Sequence, residues 1–255
     1  MNKPLYEPVT FSEIQGVRYL HLGTPWVQGA MRIKKPYAIE LEYAQQMMAW
    51  LLFLDPKNAK TLQLGLGTGA LTQFTNLLND SIQTVAVELN PAVIIAAQTM
   101  FELDVHSPRM SIIQDDALHY VKNKNHHHQF DSLQVDLFNG EASGPAINSL
   151  EFYTACFEVL KEVGVMTVNL FSRHPSFSTN INHICDAFDN RVLLFKEVHD
   201  CNVVVIAIKG PHLEVPWSDL KDRGQALKKE YGLPTQKWVK HLLQSNVQPK
   251  KVLSI

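Results

Sequence analysis

Apolar and polar positions follow two alternating periods through the middle of the chain. Short, nearly continuous apolar runs, "TLQLGL", "QTVAVEL", "MSIIQ", "FDSLQVDLF" and "GVMTVNLF", have the length of buried strands. Between them lie segments with helical spacing, "GALTQFTNLLN", "PAVIIAAQTMF", "DALHYVKN" and "LEFYTACFEVLK". Strands that alternate with helices in this way predict parallel strands with helical crossovers, and hence an open α/β sheet.

Both ends of the chain depart from this alternation. Residues 9–33 contain half-apolar runs separated by turn signals, which predicts a small β-hairpin or meander within residues 1–35. A segment with a helix period, "YAIELEYAQQMMAWLLFL", then opens an α/β domain that we expect to span residues 36–255. Late in the chain, "RVLLFKEVH" and "NVVVIAIKG" predict an antiparallel hairpin on the edge of the sheet, and the tail from about residue 214 predicts two helices.

Composition narrows the class of protein further. Of 255 residues, 45% are hydrophobic, and 23 basic side chains nearly balance 25 acidic ones, as in an ordinary soluble globular protein. No basic cluster indicates nucleic acid, and no apolar run approaches the ~18 residues of a membrane span. We therefore expect a cytoplasmic protein without nucleic-acid or membrane partners. Three cysteines without C-x-x-C spacing predict buried, reduced thiols.

Metal binding is not expected. The run His126–His128 is the one segment that resembles a metal cluster. Adjacent side chains in a loop seldom converge on one ion, and no cysteine or carboxylate stands at ligand spacing beside them. The run therefore predicts a solvated loop.

Candidate chemistry lies at the strand ends, where open α/β sheets bind their ligands. The first strand runs into the glycine loop Gly65–Gly69, which lets a ligand approach the backbone closely. The second strand ends in Glu88, which can accept hydrogen bonds from both hydroxyls of a ribose. At the end of the third, Asp115–Ala117 offers an acid for an adenine amino group, and the fourth ends in Asp136, facing the centre of the cleft.

Each of these residues also has a purely structural interpretation. The glycine loop can be simple turn chemistry, and both Asp116 and Glu88 can cap the helix that follows them. Their occurrence at successive strand ends favours a nucleoside site. Residues Gly65–Ala70 satisfy the weak dinucleotide pattern G-x-G-x-x-G/A, but the late strand pair and Asp116 are typical of a methyltransferase-type sheet. We therefore favour an S-adenosyl compound over a dinucleotide.

Several motifs occur in the order found in one known family: Gln28 in "WVQGAMRI", the loop "GLGTGA", "ELN" at Glu88–Asn90, "DDA" at Asp115–Ala117, and "DLFNGEASGPAINSLEFY" from Asp136. From roughly residue 23 to residue 209 the chain resembles the spermidine synthases, the polyamine aminopropyltransferases. The resemblance implies the methyltransferase-type fold, a homodimer, Asp136 as general base, a decarboxylated S-adenosylmethionine donor and a polyamine acceptor such as putrescine. It implies donor contacts at Gln28, Gly65, Gly67, Thr68, Gly69, Glu88, Asp115, Asp116 and Ala117.

Departures from the family pattern fall on the substrate side. The family's loop acid, which contacts the aminopropyl amine, is replaced by Thr68, and the second acid of its D-S-[ST]-D motif is replaced by Asn139. Its Y-x-E-M motif is "AQQM" here, with Tyr43 one place earlier and Glu40 and Glu42 nearby. We expect acceptor contacts from Tyr43, Asn139 and Glu141, with Tyr43 and Glu141 as supports of Asp136.

Three functions stay open on the sequence. Aminopropyl transfer needs a carboxylate beside the attacking nitrogen, because an aliphatic amine is almost fully protonated at neutral pH, and Asp136 fits that need. Methyl transfer from ordinary S-adenosylmethionine is the alternative, since "GLGTG" is common in methyltransferases and Thr68 would not repel the donor's carboxylate. The third is a nucleoside-binding member without catalysis.

Overall fold

A seven-stranded sheet forms the centre of the computed structural model, which describes residues 6–138, 148–198, 201–246 and 251–255. In spatial order its strands are β6 (Met110–Gln114), β5 (Gln83–Glu88), β4 (Lys60–Leu64), β7 (Phe130–Val135), β8 (Leu160–Phe171), β10 (Asn202–Lys209) and β9 (Val192–Leu194). Strand β10 is antiparallel to both its neighbours, and the remaining pairs are parallel. The predicted α/β sheet, mostly parallel with a late antiparallel pair, is confirmed.

A second, smaller sheet precedes this one. It consists of β1 (Val9–Ile14), β2 (Val17–Leu22) and β3 (Gly29–Arg32), all antiparallel, and so confirms the predicted β element as a meander. The β1–β2 turn is Gln15-Gly16, where both residues have positive φ, as a two-residue hairpin requires. Leu20 of β2 and Met31 of β3 share an apolar cluster with Leu66 of the glycine loop. The small sheet therefore lies against that loop, while the domain boundary at residue 35 stays a prediction.

The crossover helices are α2 (Ala70–Asn76), α3 (Pro91–Met100), α4 (Ala117–Lys122), α5 (Leu150–Val159) and α6 (Phe177–Ala187). Helix α3 begins as its sequence indicates: Pro91 occupies the first turn, and the Asn90 side chain accepts the backbone N–H of Ala92 at 3.0 Å. Helix α5 is capped by Ser149. Helix α6 is absent from the sequence prediction.

The helix predicted between the two sheets is shorter and tighter than expected. It is α1 (Glu42–Gln46) followed by a 3-10 helix at Met47–Leu52, whose six residues are all buried. The carbonyl of Met47 accepts the Thr167 hydroxyl of β8 at 2.9 Å and the Gln134 amide of β7 at 3.1 Å. In a regular α-helix this carbonyl would accept a backbone N–H four residues later, but here it accepts side-chain donors of the sheet. The segment is buried on every side.

Two helices close the chain, as predicted: α7 (Trp217–Tyr231) and α8 (Thr235–Ser245). Trp217 and Trp238 are buried in the same apolar cluster as the 3-10 helix, so the tail aromatics pack within the chain. Arg223 donates to the carbonyls of Leu51 and Leu54 at 3.1 and 2.8 Å. A short antiparallel pair, β11 (Glu214–Pro216) and β12 (Val252–Ser254), was not expected from the sequence.

Two further details differ from the sequence prediction. The strand predicted at "RVLLFKEVH" is confined to β9, although β9 and β10 form the predicted antiparallel pair at the sheet edge. Cys156 is a buried free thiol as predicted, but Cys185 and Cys201 are only half-buried. Within the described ranges, no helix has the length and apolar character needed to cross a membrane.

Candidate active site

The carboxyl ends of neighbouring strands bring the predicted site segments to one edge of the sheet. The N–H of Gly65 donates to a β5 carbonyl and the N–H of Asp136 donates to a β4 carbonyl, both at 2.9 Å. One strand further, the N–H of Asp115 lies 3.2 Å from the carbonyl of Glu88. Because these hydrogen bonds prolong the parallel ladder past the strand ends, the four segments emerge side by side.

The glycine loop has a backbone shape that its sequence dictates. Gly65, Gly67 and Gly69 have φ of +86°, +55° and +75°. A Cβ at Gly65 would lie 2.1 Å from the carbonyl oxygen of Asp136, and a Cβ at Gly67 would lie 3.4 Å from the carbonyl oxygen of Gln28. The predicted residues Gln28 and Asp136 therefore flank the loop on either side, and position 65 admits only glycine.

Glu88 braces the glycine loop. Its carboxylate accepts the N–H of Leu66 at 2.9 Å and the N–H of Asn90 at 2.8 Å. Burial raises the pKa of Glu88, and these backbone hydrogen bonds oppose the shift. The capping interpretation of Glu88 is wrong, since Asn90 caps α3 and Glu88 in turn holds the backbone of Asn90.

Asp115, Asp116 and Ala117 form the end of β6 and the start of α4. The Asp116 carboxylate accepts the N–H of His119 at 2.9 Å, so its capping role is real. Asp115 accepts the N–H of Asp116 at 2.8 Å, and its carboxylate lies 2.9 Å from Nδ1 of His119. Ala117 is the buried first residue of the helix. A nucleoside role for these three residues stays a prediction.

Asp136 is held by two side chains. Nδ2 of Asn169 donates to its Oδ1 at 3.0 Å, and the hydroxyl of Tyr43 donates to its Oδ2 at 3.4 Å. Although part of Asp136 is accessible, its carboxylate lies deep among protein atoms, and this desolvation raises its pKa to about 6 against the opposing effect of both hydrogen bonds. The pKa of Tyr43 is also raised, first by burial and then by the charge of Asp136. At neutral pH this site offers an ionised carboxylate beside a neutral phenol.

Asn169 is missing from the sequence prediction. It lies on β8, where Val168 pairs with Val135, so the next residue along each strand is Asn169 beside Asp136. The signal was present, because the strand-end rule that selects Asp136 on the fourth strand selects Asn169 on the fifth. The predicted residues Asn139 and Glu141 lie outside the described residues.

Two adjoining spaces meet near Asp136. The inner pocket, of about 20 Å³, lies between the glycine loop and β3, and its lining includes Gly29, Thr68 and Asp136. The outer groove, of about 490 Å³, has a lining that includes Trp26, Phe138, Asn169 and Phe171. Both spaces are lined by Gln28, Glu40, Leu41 and Tyr43.

Thr68 is a packing residue of the inner pocket. It is 5% exposed, and a Cβ at Gly29 would lie 2.6 Å from its Cγ2. The Thr68 side chain therefore rests against the bare backbone of β3. Widening the inner pocket requires the glycine loop and β3 to move apart, since they are in contact at this point.

The histidine run is in part a packing element. His126 is half-buried, its ring stacks on Tyr120 with centroids 3.8 Å apart, and its Nδ1 lies 2.8 Å from the Tyr120 carbonyl. The prediction of a solvated loop is therefore wrong for His126, which packs on Tyr120. In the described part of the chain, no group of three or more His, Cys, Asp or Glu side chains is placed to hold a metal ion.

Strand order, the antiparallel β10 and the glycine loop after β4 together define a Rossmann-like α/β protein of the methyltransferase type. Residues 40–205 match the family described as the spermine/spermidine synthase domain. The chain belongs to that family.

Curated relatives agree with this assignment. Over 94% of its length the chain is 31% identical to polyamine aminopropyltransferases of two Neisseria meningitidis strains, of serogroups A and B, and it covers 91% of each. A polyamine aminopropyltransferase of Chromobacterium violaceum gives the same identity and coverage. The similarity therefore spans nearly the whole of this chain and of each of these relatives.

Solved structures share the fold. A probable spermidine synthase from Corynebacterium glutamicum superposes with a TM-score of 0.71 at 17% identity, covering 94% of this chain and 91% of that one. Human methyltransferase-like protein 13 in complex with SAH gives 0.68 at 20% identity, covering 76% and 93%. A spermidine synthase in complex with the transition-state analogue AdoDATO gives 0.60 at 23% identity, covering 79% and 74%.

Proposed function

We propose that this protein transfers an aminopropyl group from decarboxylated S-adenosylmethionine to a polyamine such as putrescine. The observation that carries the proposal is Asp136, held by Asn169 and Tyr43 where the inner pocket and the outer groove meet, with a pKa raised to about 6. Membership of the spermine/spermidine synthase family supports the same reaction.

The donor nucleoside would lie along the strand ends. Glu88 accepts two backbone N–H groups, and a carboxylate has further lone pairs with which to accept both ribose hydroxyls. Asp116 would accept from the adenine amino group beside Asp115 and Ala117. The bare backbone of Gly65, Gly67 and Gly69 gives the close approach that the donor needs, with Gln28 across the loop.

Asp136 supplies the proton acceptor. In the transfer, the acceptor nitrogen forms a bond to the methylene beside the sulfonium, and the carbon–sulfur electron pair leaves on sulfur as methylthioadenosine. The nitrogen must attack as a neutral amine, so its proton moves to the Asp136 carboxylate. A general base of this kind contributes roughly 10²- to 10⁴-fold to the rate. Asn169 and Tyr43 fix the orientation of the carboxylate.

The acceptor would lie in the outer groove. The rings of Phe138 and Phe171 pack edge to face there, with centroids 5.0 Å apart, and Trp26 lines the same groove. Aromatic faces attract alkylammonium groups and bury their methylenes. Tyr43 would orient the attacking amine, and we include Asn139 and Glu141 as further acceptor contacts.

The test is turnover of the purified chain with the decarboxylated donor and a panel of diamines and triamines. Methylthioadenosine and an aminopropylated amine should appear in equal amounts, and putrescine should be among the substrates. The absence of either product with every amine of the panel would refute aminopropyl transfer.

Methyl transfer is the second candidate, and Thr68 is the observation that favours it. A buried hydroxyl at this point of the loop carries no charge to repel the carboxylate of ordinary S-adenosylmethionine. Calorimetry with both donors separates the candidates. Tighter binding of the decarboxylated donor excludes the second, whereas tighter binding of S-adenosylmethionine excludes the first.

The proposal also covers the setting in which the enzyme works. We place it in the cytoplasm as a homodimer, with residues 1–35 as a separate β element beside the α/β domain, since these are the expectations that the family resemblance and the chain pattern gave. Light scattering on the purified protein gives the mass in solution. A monomer at every concentration would contradict the dimer.

A further inference from the structure

The tail of the decarboxylated donor ends in an ammonium group, and such a cation needs a partner of opposite charge when it leaves water. This inference rests on the proposed function. On the glycine-loop side, the inner pocket offers Thr68, whose hydroxyl has no charge. The charge must therefore come from another part of the pocket wall.

Few ionisable groups line the inner pocket within the described residues. They are Glu40, Tyr43 and Asp136, and none of them is cationic. Tyr43 stays neutral, because burial raises its pKa well above its ordinary value. Asp136 receives the proton of the attacking amine, so a permanent ion pair with the donor tail would remove its capacity as a base. Glu40 is the carboxylate that is left.

The position of Glu40 suits this task. It follows β3 and lines both the inner pocket and the outer groove, at their junction. Its side chain is 23% exposed, so a charge beside it is partly shielded from water. The donor's methylene must sit at the same junction for the acceptor to reach it. A tail that starts there lies within the same space as Glu40.

Arg32 orients the Glu40 carboxylate. Its Nε donates to Oε2 of Glu40 at 2.9 Å, and its Nη2 donates to Oε1. The pKa of Arg32 is raised by this hydrogen-bonded pair. A carboxylate has about four lone-pair sites, so a bidentate guanidinium leaves sites free for a second donor. Arg32 itself lines neither the inner pocket nor the outer groove.

We infer that Glu40 selects the donor: its carboxylate binds the tail ammonium of decarboxylated S-adenosylmethionine and repels the additional carboxylate of S-adenosylmethionine. The acid that discriminates between the two donors is thus located after β3 and not in the glycine loop. The uncharged Thr68 is then compatible with aminopropyl transfer, because the charge is supplied by another residue of the inner pocket's lining.

The test is isothermal calorimetry of wild type and Glu40→Gln with the decarboxylated donor, S-adenosylmethionine and methylthioadenosine. The last compound lacks the charged tail, so it reports nucleoside binding and correct folding alone. We expect Glu40→Gln to lower the affinity for the decarboxylated donor by about 10-fold or more, because a charge-assisted hydrogen bond is lost. Methylthioadenosine should bind as before, and S-adenosylmethionine should bind no more weakly.

Glu42→Gln is the matched control for donor binding. Glu42 lies two residues further along, is ion-paired with Lys237, and lines the outer groove but not the inner pocket. It should leave the affinity for all three compounds unchanged, as the inference requires. An equal loss of the decarboxylated donor in both variants would overturn the assignment to Glu40.

The remaining outcomes separate this inference from the proposed function. If wild type prefers the decarboxylated donor and Glu40→Gln keeps that preference, aminopropyl transfer stands and the role of Glu40 is overturned. If Glu40→Gln loses as much affinity for methylthioadenosine as for the decarboxylated donor, Glu40 has a structural role and the inference is likewise overturned. If wild type prefers S-adenosylmethionine or binds no nucleoside, both fail.

Discussion

At Gly65 the backbone leaves no room for a side chain. Its φ is +86°, and a Cβ there would meet the carbonyl oxygen of Asp136 at 2.1 Å. We predict that Gly65→Ala lowers the free energy of unfolding by about 2 kcal/mol or more, because backbone strain and a clash with main chain add together. Urea denaturation measures the loss.

Gly16→Ala is the matched control. Gly16 has a similar φ of +77°, but no atom lies within 4 Å of its added Cβ. It should show only the cost of placing alanine in the left-handed region, about 1 kcal/mol. Equal losses in the two variants would mean that the approach to Asp136 has no energetic consequence.

The raised pKa of Asp136 links stability to pH. Its pKa is about 6 in the fold, against an ordinary 3.8, because burial disfavours the charged form. The folded state therefore binds the proton more tightly than the unfolded chain, and this contribution to stability is present below about pH 4 and lost as the pH rises through about 6. Asp136→Asn has no such titration.

We accordingly predict that Asp136→Asn gains stability relative to wild type as the pH rises from about 4 to about 8. Denaturant unfolding of both proteins across that range gives the difference, in which the other titrating groups cancel. A difference that stays flat with pH would show that Asp136 has an ordinary pKa.

Residues whose position is set by a strand end could be predicted from the sequence alone. Glu88 and Asp136 follow directly from apolar runs that have the length of buried strands, and the structure places both at the expected edge. The partners of these residues were harder to predict. The contact between Asp136 and Tyr43 joins positions 93 residues apart, and the Arg32–Glu40 pair depends on where β3 ends.

Helix α4 shows how an element can combine structural and binding roles in one side chain. Asp116 caps this short helix and is also our candidate for the adenine amino group. We predict that Asp116→Asn keeps the stability of wild type, because asparagine caps a helix as well as aspartate does. It should lower the affinity for methylthioadenosine, because it also presents an amide N–H₂ donor to the adenine amino group. Calorimetry and thermal unfolding measure the two effects.

Asp116→Ala is the companion variant. It should weaken the nucleoside and also cost about 1 kcal/mol of stability, the usual value of a lost N-cap. If both variants bind methylthioadenosine like wild type, Asp116 is a cap alone and its nucleoside role is wrong.

Strands that read as nearly continuous apolar runs were predicted well. Strands β4, β5 and β7 have mostly buried interiors and were readily identified. Helix α6 was missed although Phe177, Ile181 and Ile184 follow a helical spacing and pack in or against one apolar cluster. The 3-10 segment Met47–Leu52 is apolar on every side, and only its tertiary partners decide which helix it forms.

At the scale of the whole molecule, the tail helices complete the core on one face of the sheet. Trp238 is 1% exposed within the cluster that includes the 3-10 helix and β10. We predict that Trp238→Ala costs about 3–5 kcal/mol of unfolding free energy, as large-to-small changes in a core do. Urea unfolding followed by circular dichroism measures it.

Trp26→Ala is the control, because Trp26 is 55% exposed. It should change stability by less than about 0.5 kcal/mol, as exposed positions usually do. A loss at Trp238 no larger than at Trp26 would mean that the tail is dispensable for the core. The sequence alone did not decide how the tail packs, since irregularly spaced aromatic residues can pack on the sheet or on a second subunit.

The arrangement of the whole chain explains why catalysis should depend on one carboxylate. The small sheet lies against the glycine loop, α1 brings Tyr43 to the end of β7, and β8 brings Asn169 to the same point. Three separate parts of the chain thus converge on Asp136. We propose that this convergence serves aminopropyl transfer.

The most direct test is the single-turnover rate of wild type and Asp136→Asn with the decarboxylated donor and putrescine. We predict equal amounts of methylthioadenosine and aminopropylated amine from wild type, with a rate that rises through about pH 6 as Asp136 ionises. Asp136→Asn should lose roughly 10²- to 10⁴-fold in rate while still binding methylthioadenosine. Equal rates in the two proteins, or product from neither, would contradict this proposal.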